Sequence, residues 1–184
     1  MGFLEEQAVQ KRAITSLPDK VDTISRLNKI SVSLNQGLAW LAGGSLLLMV
    51  LVVVGNALMR MIYEPFTGAA EVVGWLTAVT IAFGLGYTQV HRGYVEIDAL
   101  VERLPLGLQK ALKRVVLFIS MVFFALVAWQ LTIYGLNVMK NGNLSETLWI
   151  PYYPLIFLLS LGFAGLTLAI FVDFLKEFNG GTGK

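Results

Sequence analysis

Four long stretches without a charged side chain constrain this chain more than any other feature. They cover residues 30–59, 72–90, 115–139 and 147–172. Crossing the hydrocarbon core of a bilayer takes roughly 20 apolar residues of helix. Backbone polar groups in lipid must be satisfied within the segment, and the stretches lack the alternation of a membrane β-barrel strand. The sequence therefore predicts an all-α integral membrane protein with four transmembrane helices, at about 37–59, 70–90, 115–138 and 150–174.

The composition agrees with a membrane protein and excludes several functions. Only 14% of the 184 residues are charged, compared with about 25% in an average soluble domain. Cysteine is absent and His91 is the only histidine, so the chain alone offers no disulfide, no thiolate nucleophile and no bis-histidine haem ligation. It also has no glycine-rich phosphate-binding loop that ends in Gly-Lys-Ser/Thr. We predict no catalytic residue, no cofactor, no metal site, no enzymatic activity and no nucleic-acid partner.

The distribution of lysine and arginine predicts the orientation in the membrane. Twelve of the fourteen basic residues lie in the N-terminal segment, in the connection between spans two and three, or in the tail. Only Arg60 and Lys140 lie in the other two connections. Basic residues concentrate on the cytoplasmic side, so both termini and the middle connection are predicted to be cytoplasmic.

The segments that flank the spans have different patterns. Residues 1–18 have no clear pattern and stay unassigned. Residues 19–36 carry apolar side chains every three or four positions, which is typical of an amphipathic helix. We expect this helix to lie along the cytoplasmic membrane surface and to contact phospholipids; packing on a soluble partner is the alternative. Residues 95–104 suggest a second short interfacial helix that Pro105 ends. Residues 37–175 are expected to form the membrane domain, and residues 176–184 a flexible tail.

Two charged residues mark the first outer connection. Arg60 closes span one and Glu71 opens span two. If both lie at the same depth, they could form an ion pair on the outer face, and the dipole of the second helix would favour Glu71 at its N-terminus. Arg60 could instead extend to lipid phosphates or face a neighbouring protein. The simplest interpretation is a hairpin clamp with no direct role in handling a substrate.

Span two carries a stripe of small residues at four-residue spacing, formed by Gly74, Ala78, Ala82 and Gly86. Helices in lipid associate by close backbone approach, which small residues permit. The stripe predicts that span two is a packed, central helix. It would pack among the helices of this chain, or else dock onto another protein.

Four elements in this order resemble the small membrane subunit of tripartite ATP-independent periplasmic (TRAP) transporters. They are Arg60 at the end of span one, "GAAE" at 68–71, "HRGYVEIDAL" at 91–100 and "ETLWIPYYP" at 146–154. The family often has Gly-His-Val-x-Val-Asp in the third element, whereas Tyr94 stands here in place of the histidine. The resemblance covers residues 30–175.

The resemblance implies a scaffold role rather than a transport site. A large membrane subunit would hold the sodium and substrate sites and move, and a periplasmic binding protein would deliver a small organic acid such as a C4-dicarboxylate, a 2-oxo acid, sialic acid or a sulfonate. This chain would brace the large subunit in the bacterial inner membrane. The residues and motif positions that we select as candidate structural or partner-interface residues are Arg60, Glu71, Gly74, Ala78, Ala82, Gly86, Arg92, Asp98, Glu146 and Pro151.

Two other functions stay open at this point. A small homodimeric carrier would require Glu71 to lie well inside the membrane and to exchange a proton. A lipid-organising or assembly protein would have no link to transport. The absence of charge within the spans argues against a solitary carrier, because ionisable residues inside a membrane usually mark an ion or substrate path.

Overall fold

The computed structural model describes residues 2–64, 66–91 and 105–178, with side-chain detail from residue 24 onward except at residues 106, 110 and 178. Four helices lie in this part of the chain: α1 (Gly2–Ile62), α2 (Ala69–Val90), α3 (Leu106–Asn141) and α4 (Tyr153–Phe178). Each contains a segment that is long and apolar enough to cross a membrane. The prediction of an all-α protein with four membrane-length helices is therefore confirmed.

Helix α1 is continuous from the N-terminal segment into the first span. The predicted interfacial segment, residues 19–36, therefore belongs to the same helix as span one. Within this segment, Ser31 and Asn35 are buried at 1% and 0% exposure, so its last part packs inside the bundle. The location of its earlier part on the membrane surface stays a prediction.

The helices form an up-and-down bundle. Thr77 of α2 contacts Met49 of α1 and Thr80 contacts the backbone of Ala42, so α1 and α2 run antiparallel. On α3 and α4, Lys113 pairs with Glu177 at one end and Thr132 with Ser160 further along, so these two helices are also antiparallel. Phe83 of α2 packs on Gly162 of α4 and Gln89 contacts Asp173, so α2 and α4 run parallel. The start of α1 and the end of α4 consequently lie at the same end of the bundle.

The central helix is α4, and the prediction that span two is central is wrong. Helix α4 packs against α1, α2 and α3, whereas α2 packs against α1 and α4. The physical reason is a pair of glycines on α4. A β-carbon at Gly162 would lie 2.7 Å from Cδ1 of Phe83, and one at Gly165 would lie 3.0 Å from both Leu34 and Leu38. These glycines allow α2 and α1 to approach the backbone of α4 closely.

The core lies between α1, α2 and α4. It consists of Leu38, Ala42, Val79, Ala82 and Phe83, with Leu155, Leu159 and Phe163 packed against it. Helix α3 is attached on one side of α4, where Phe124 stacks on Phe163 with ring centroids 6.1 Å apart. Most other large apolar side chains of α3, and those of α1 beyond the core, are exposed. In a bilayer these faces contact lipid or another membrane protein.

Local geometry defines the ends of the helices around the connection between α3 and α4. Helix α3 ends at Asn141 and is capped by Gly142, which adopts the left-handed conformation with a φ of 65° and donates its N–H to the carbonyl of Val138, a common way to terminate a helix. Helix α4 begins at Tyr153, later than the predicted residue 150. Residues 150 and 151 pair with the preceding loop instead, and Pro154 lies in the first turn, where proline is tolerated.

Several predictions lie outside the described residues. They are the interfacial helix in the connection 91–104, the candidate residues Arg92 and Asp98, and the last part of the tail at 179–184.

Candidate functional site

The two connections that the sequence predicts to face outward are called the outer loops here, and the second of them, between α3 and α4, meets the start of α2 at the carboxylate of Glu71. Glu71 lies in the first turn of α2, and the Ser145 hydroxyl donates a hydrogen bond to its Oε1 atom. The backbone N–H groups of Thr147 and Leu148 each donate to Oε2 at 3.3 Å. One carboxylate therefore fixes three donors of the loop between α3 and α4.

Packing reinforces these hydrogen bonds. Gly68, just before α2, is buried beneath Leu148, and a β-carbon there would come within 2.9 Å of Cγ of Leu148. The adjacent Ala69 is only 5% exposed. Gly68 has an ordinary negative φ of −79°, so glycine is required here for space rather than for conformation. We call the set Gly68, Glu71, Ser145, Thr147 and Leu148 the outer clasp.

The second outer loop is closed on itself next to the outer clasp. The N–H of Ser145 donates to the carbonyl of Ile150 at 3.0 Å, and Leu144 and Pro151 form an antiparallel bridge. Trp149, between these contacts, has a φ of 55° and is 74% exposed. A bulky residue in the left-handed region is uncommon and strained. The surrounding bonds hold Trp149 at the tip of the loop.

The structure does not join Arg60 to Glu71. Arg60 is exposed in the last turn of α1, and among the described residues it forms no ion pair. The first outer loop is instead closed by Asn56, whose Oδ1 atom accepts a hydrogen bond from the N–H of Phe66 at 2.9 Å. Glu71 turns to the second loop because three N–H and O–H donors converge there.

Glu146 and Pro151 lie in the same loop as the outer clasp but outside its contacts. Glu146 is exposed, and Pro151 forms the bridge to Leu144. A hydrogen bond with Tyr134 raises the pKa of the nearby Tyr152 phenol, and the charge of Glu146 adds a smaller increase in the same direction.

The small-residue stripe of α2 divides into two halves. Ala82 is 1% exposed and Gly86 is buried, and both lie beside α4. Ala78 is half-buried, whereas Gly74 is exposed and a β-carbon there would meet no atom within 4 Å. The inner half serves packing within this chain, and the half near the outer clasp leaves a shallow surface open.

The opposite end of the bundle is held by charged and polar side chains. Gln89 of α2 donates to Oδ2 of Asp173 at 2.9 Å, and Lys176 lies 3.3 Å from Oδ1 of the same carboxylate. Lys113 and Glu177 pair across α3 and α4 at 3.7 Å. Both ends of the bundle are thus joined by interhelical polar contacts.

The chemistry of these contacts is structural. The described residues contain no group of three or more His, Cys, Asp or Glu side chains that could hold a metal ion. The carboxylate oxygens of Glu71 accept hydrogen bonds from donors of this chain. The sequence signals identified Glu71 and the segment 146–154, but nothing in the sequence indicated that Ser145 and Leu148 contact residues more than seventy positions away.

Comparisons with known proteins agree with the motifs. The family model described as the DctQ component of tripartite ATP-independent periplasmic transporters matches residues 49–180, which is well over half of the chain. No curated protein and no solved structure gives a significant match. The matched region includes α2, α3, the outer clasp and all of α4.

Proposed function

The chain belongs to the DctQ component family of tripartite ATP-independent periplasmic transporters, and from this premise we propose that it is the non-catalytic scaffold subunit of a sodium-coupled importer. Membership of this family together with four apolar helices makes it a multi-pass protein of the inner membrane. The proposed cargo is a small organic acid, either a carboxylate, such as a C4-dicarboxylate, a 2-oxo acid or sialic acid, or a sulfonate.

Tripartite organisation implies a large membrane subunit and a periplasmic binding protein as partners. We propose that substrate and sodium are handled by the large subunit. The observation that carries this proposal is the neutrality of the bundle interior. Among the residues whose side chains the structure describes, the buried polar ones are Ser31, Asn35, Ser145 and Ser160, and none of them is ionisable. Ion-coupled transport sites in membranes ordinarily contain ionisable side chains or broken helices.

A brace must be rigid, and three features of the bundle support that role. Helix α4 is packed on all three other helices, the outer clasp ties the loop between α3 and α4 to α2, and the Gln89–Asp173 contact ties α2 to α4 at the opposite end. With both ends fixed, a force applied to one helix is shared by the others. The exposed apolar faces of α1 and α3 provide area for the large subunit and for phospholipids.

The outer loops are also suited to a role in docking the binding protein. The outer clasp holds the loop 142–152 in one conformation, and its tip presents Trp149. A preformed loop binds with a smaller loss of conformational entropy than a flexible one. We propose that this end faces the periplasm, in agreement with the distribution of basic residues.

The alternative of a proton-coupled homodimeric carrier is not favoured. It requires Glu71 within the membrane, yet Glu71 lies in the first turn of α2 and accepts hydrogen bonds from an outer loop. No observation specifically favours a lipid-organising protein.

Co-expression tests the proposal. Cells that lack their own organic-acid importers would receive this chain alone, the large subunit with the binding protein, or all three, and uptake of a radiolabelled organic acid would be measured with and without sodium. We expect sodium-dependent uptake only with all three proteins. Full uptake without this chain, or uptake by this chain alone, would contradict the proposal.

A further inference from the structure

Among the described residues, Asn35 has the most completely buried polar side chain, and neither the family nor the proposed function accounts for it. Asn35 is 0% exposed and lies on α1 where this helix meets both α2 and α4. Burial of an uncharged amide in a membrane bundle is costly where its polar atoms lack hydrogen-bond partners in the protein, because lipid offers none. Its contacts therefore show what this residue does.

Both N–H groups of the Asn35 amide are used. Nδ2 donates to the carbonyl of Ser31, one turn earlier on α1, at 2.9 Å, and to the carbonyl of Gly165 on α4 at 3.2 Å. The first bond fixes the rotamer of Asn35 on its own helix. The second fixes the height of α1 relative to α4, because it reaches one specific carbonyl on a neighbouring helix.

The oxygen of the Asn35 amide occupies the space that Gly86 leaves on the surface of α2. Oδ1 accepts no hydrogen bond from the described residues, and it lies against Gly86, where an added β-carbon would overlap it. A β-carbon on Gly165 would also approach this oxygen, to 3.3 Å. The amide thus fits between two glycines on two different helices, and a displacement of α1 by one residue would remove it from both.

We propose that Asn35 sets the register of α1 on α2 and α4. Its hydrogen bond selects the axial position of α1 on α4, and its insertion beside Gly86 selects the position on α2. A buried polar residue that fixes the register of packed helices has this same role in coiled coils. The proposal concerns the bundle itself and holds whether or not the chain is a transporter subunit.

The absence of cysteine from the chain provides a direct test. The Thr80 hydroxyl lies 3.5 Å from the backbone carbonyl oxygen of Ala42, so a cross-link between Ala42→Cys and Thr80→Cys reports the correct register. The pair Leu46→Cys with Thr80→Cys reports a shift of one helical turn. The full-length protein would be treated in isolated membranes with a short thiol cross-linker, and the ratio of the two yields would be measured. In the unaltered background we expect the first pair to dominate.

We call the ratio of the first cross-linking yield to the second the register selectivity. Removing the amide of Asn35 should lower it. Asn35→Leu keeps a side chain of similar volume and deletes both hydrogen bonds, and we expect the ratio to fall by about three- to tenfold. The melting temperature of the same protein in detergent separates loss of register from loss of folding. An Asn35→Leu protein that keeps both its folding and its full selectivity would show that the proposal is wrong.

A double substitution tests the contact with Gly86 independently. Gly86→Ala should lower the selectivity when Asn35 is present, and should have little further effect in an Asn35→Ala chain, where the space beside Gly86 is free. Gly74→Ala is the matched control on the same helix, because its added methyl group meets open space. Equal losses from Gly86→Ala in both backgrounds would refute the proposal.

Discussion

At the residue scale, Glu71 carries the most specific contacts of the outer loops. Its carboxylate accepts three hydrogen bonds, and two of the three donors are backbone groups that another side chain cannot replace. The free energy of these contacts depends on the negative charge and on the shape of the carboxylate. Substitutions of Glu71 therefore test the outer clasp directly.

We expect Glu71→Gln to lower the free energy of unfolding by about 1–3 kcal/mol, because a hydrogen bond to a charged group is stronger than one to a neutral group and the new amide N–H groups face other donors. Thermal unfolding of the purified protein in detergent would measure this effect. Glu64→Gln is the matched control, since Glu64 is exposed in the first outer loop. Equal melting temperatures for the two variants would contradict the assigned role of Glu71.

The second residue-scale prediction concerns Gly68. Gly68→Ala forces a methyl group into the space of Leu148, and crowding of this kind typically costs about 1–3 kcal/mol. Gly55→Ala, at a glycine with no neighbour within 4 Å, should not destabilise the protein. The comparison would use the same thermal measurement, and a Gly68→Ala protein as stable as the control would show that Leu148 can move aside.

The sequence predicts the position of Glu71 but not its hydrogen-bond partners. The sequence identified Glu71 as a charge at the start of a helix, and the dipole argument needs only local information. Its partner could not be inferred, because Ser145 and Thr147 are ordinary loop residues and the nearest opposite charge in sequence, Arg60, was the obvious candidate. The choice depends on which donors the folded loop turns toward Glu71.

At the element scale, the four spans could be predicted because long uncharged stretches have one stable form in lipid. The order of packing could not. The small-residue stripe of α2 indicated a packed helix, and its inner half does pack. The central position of α4 depends on Gly162 and Gly165, whose spacing of three gave a weaker periodic signal than the four-residue stripe.

Substitutions in the two halves of the small-residue stripe test the stability of the bundle and its assembly with the large subunit separately. Ala82→Leu places a large side chain in the core, so we expect loss of the folded protein during purification. Gly74→Leu points into open space, so the purified chain should keep its melting temperature. We expect less of the large subunit to co-purify with the Gly74→Leu chain, because Gly74 lies on the open part of α2. Normal recovery and normal uptake with Gly74→Leu would remove this surface from the proposed interface.

At the scale of the whole molecule, the up-and-down arrangement places the start of α1 and the end of α4 at one end. The basic residues predict that this end is cytoplasmic. Single cysteines can test the orientation, since the chain has none. In intact spheroplasts, Glu64→Cys and Asn143→Cys should react with a membrane-impermeant maleimide, whereas Arg26→Cys should react only after the membrane is opened. The reverse pattern would invert the proposed orientation.

The central claim for the whole molecule is that it supports transport without carrying a substrate itself. Reconstitution of purified proteins into liposomes tests this most directly, with a sodium gradient imposed and the uptake of a radiolabelled organic acid measured. We expect no accumulation in vesicles that contain this chain alone, and sodium-driven accumulation when the large subunit and the loaded binding protein are added. Accumulation by this chain alone would contradict the account.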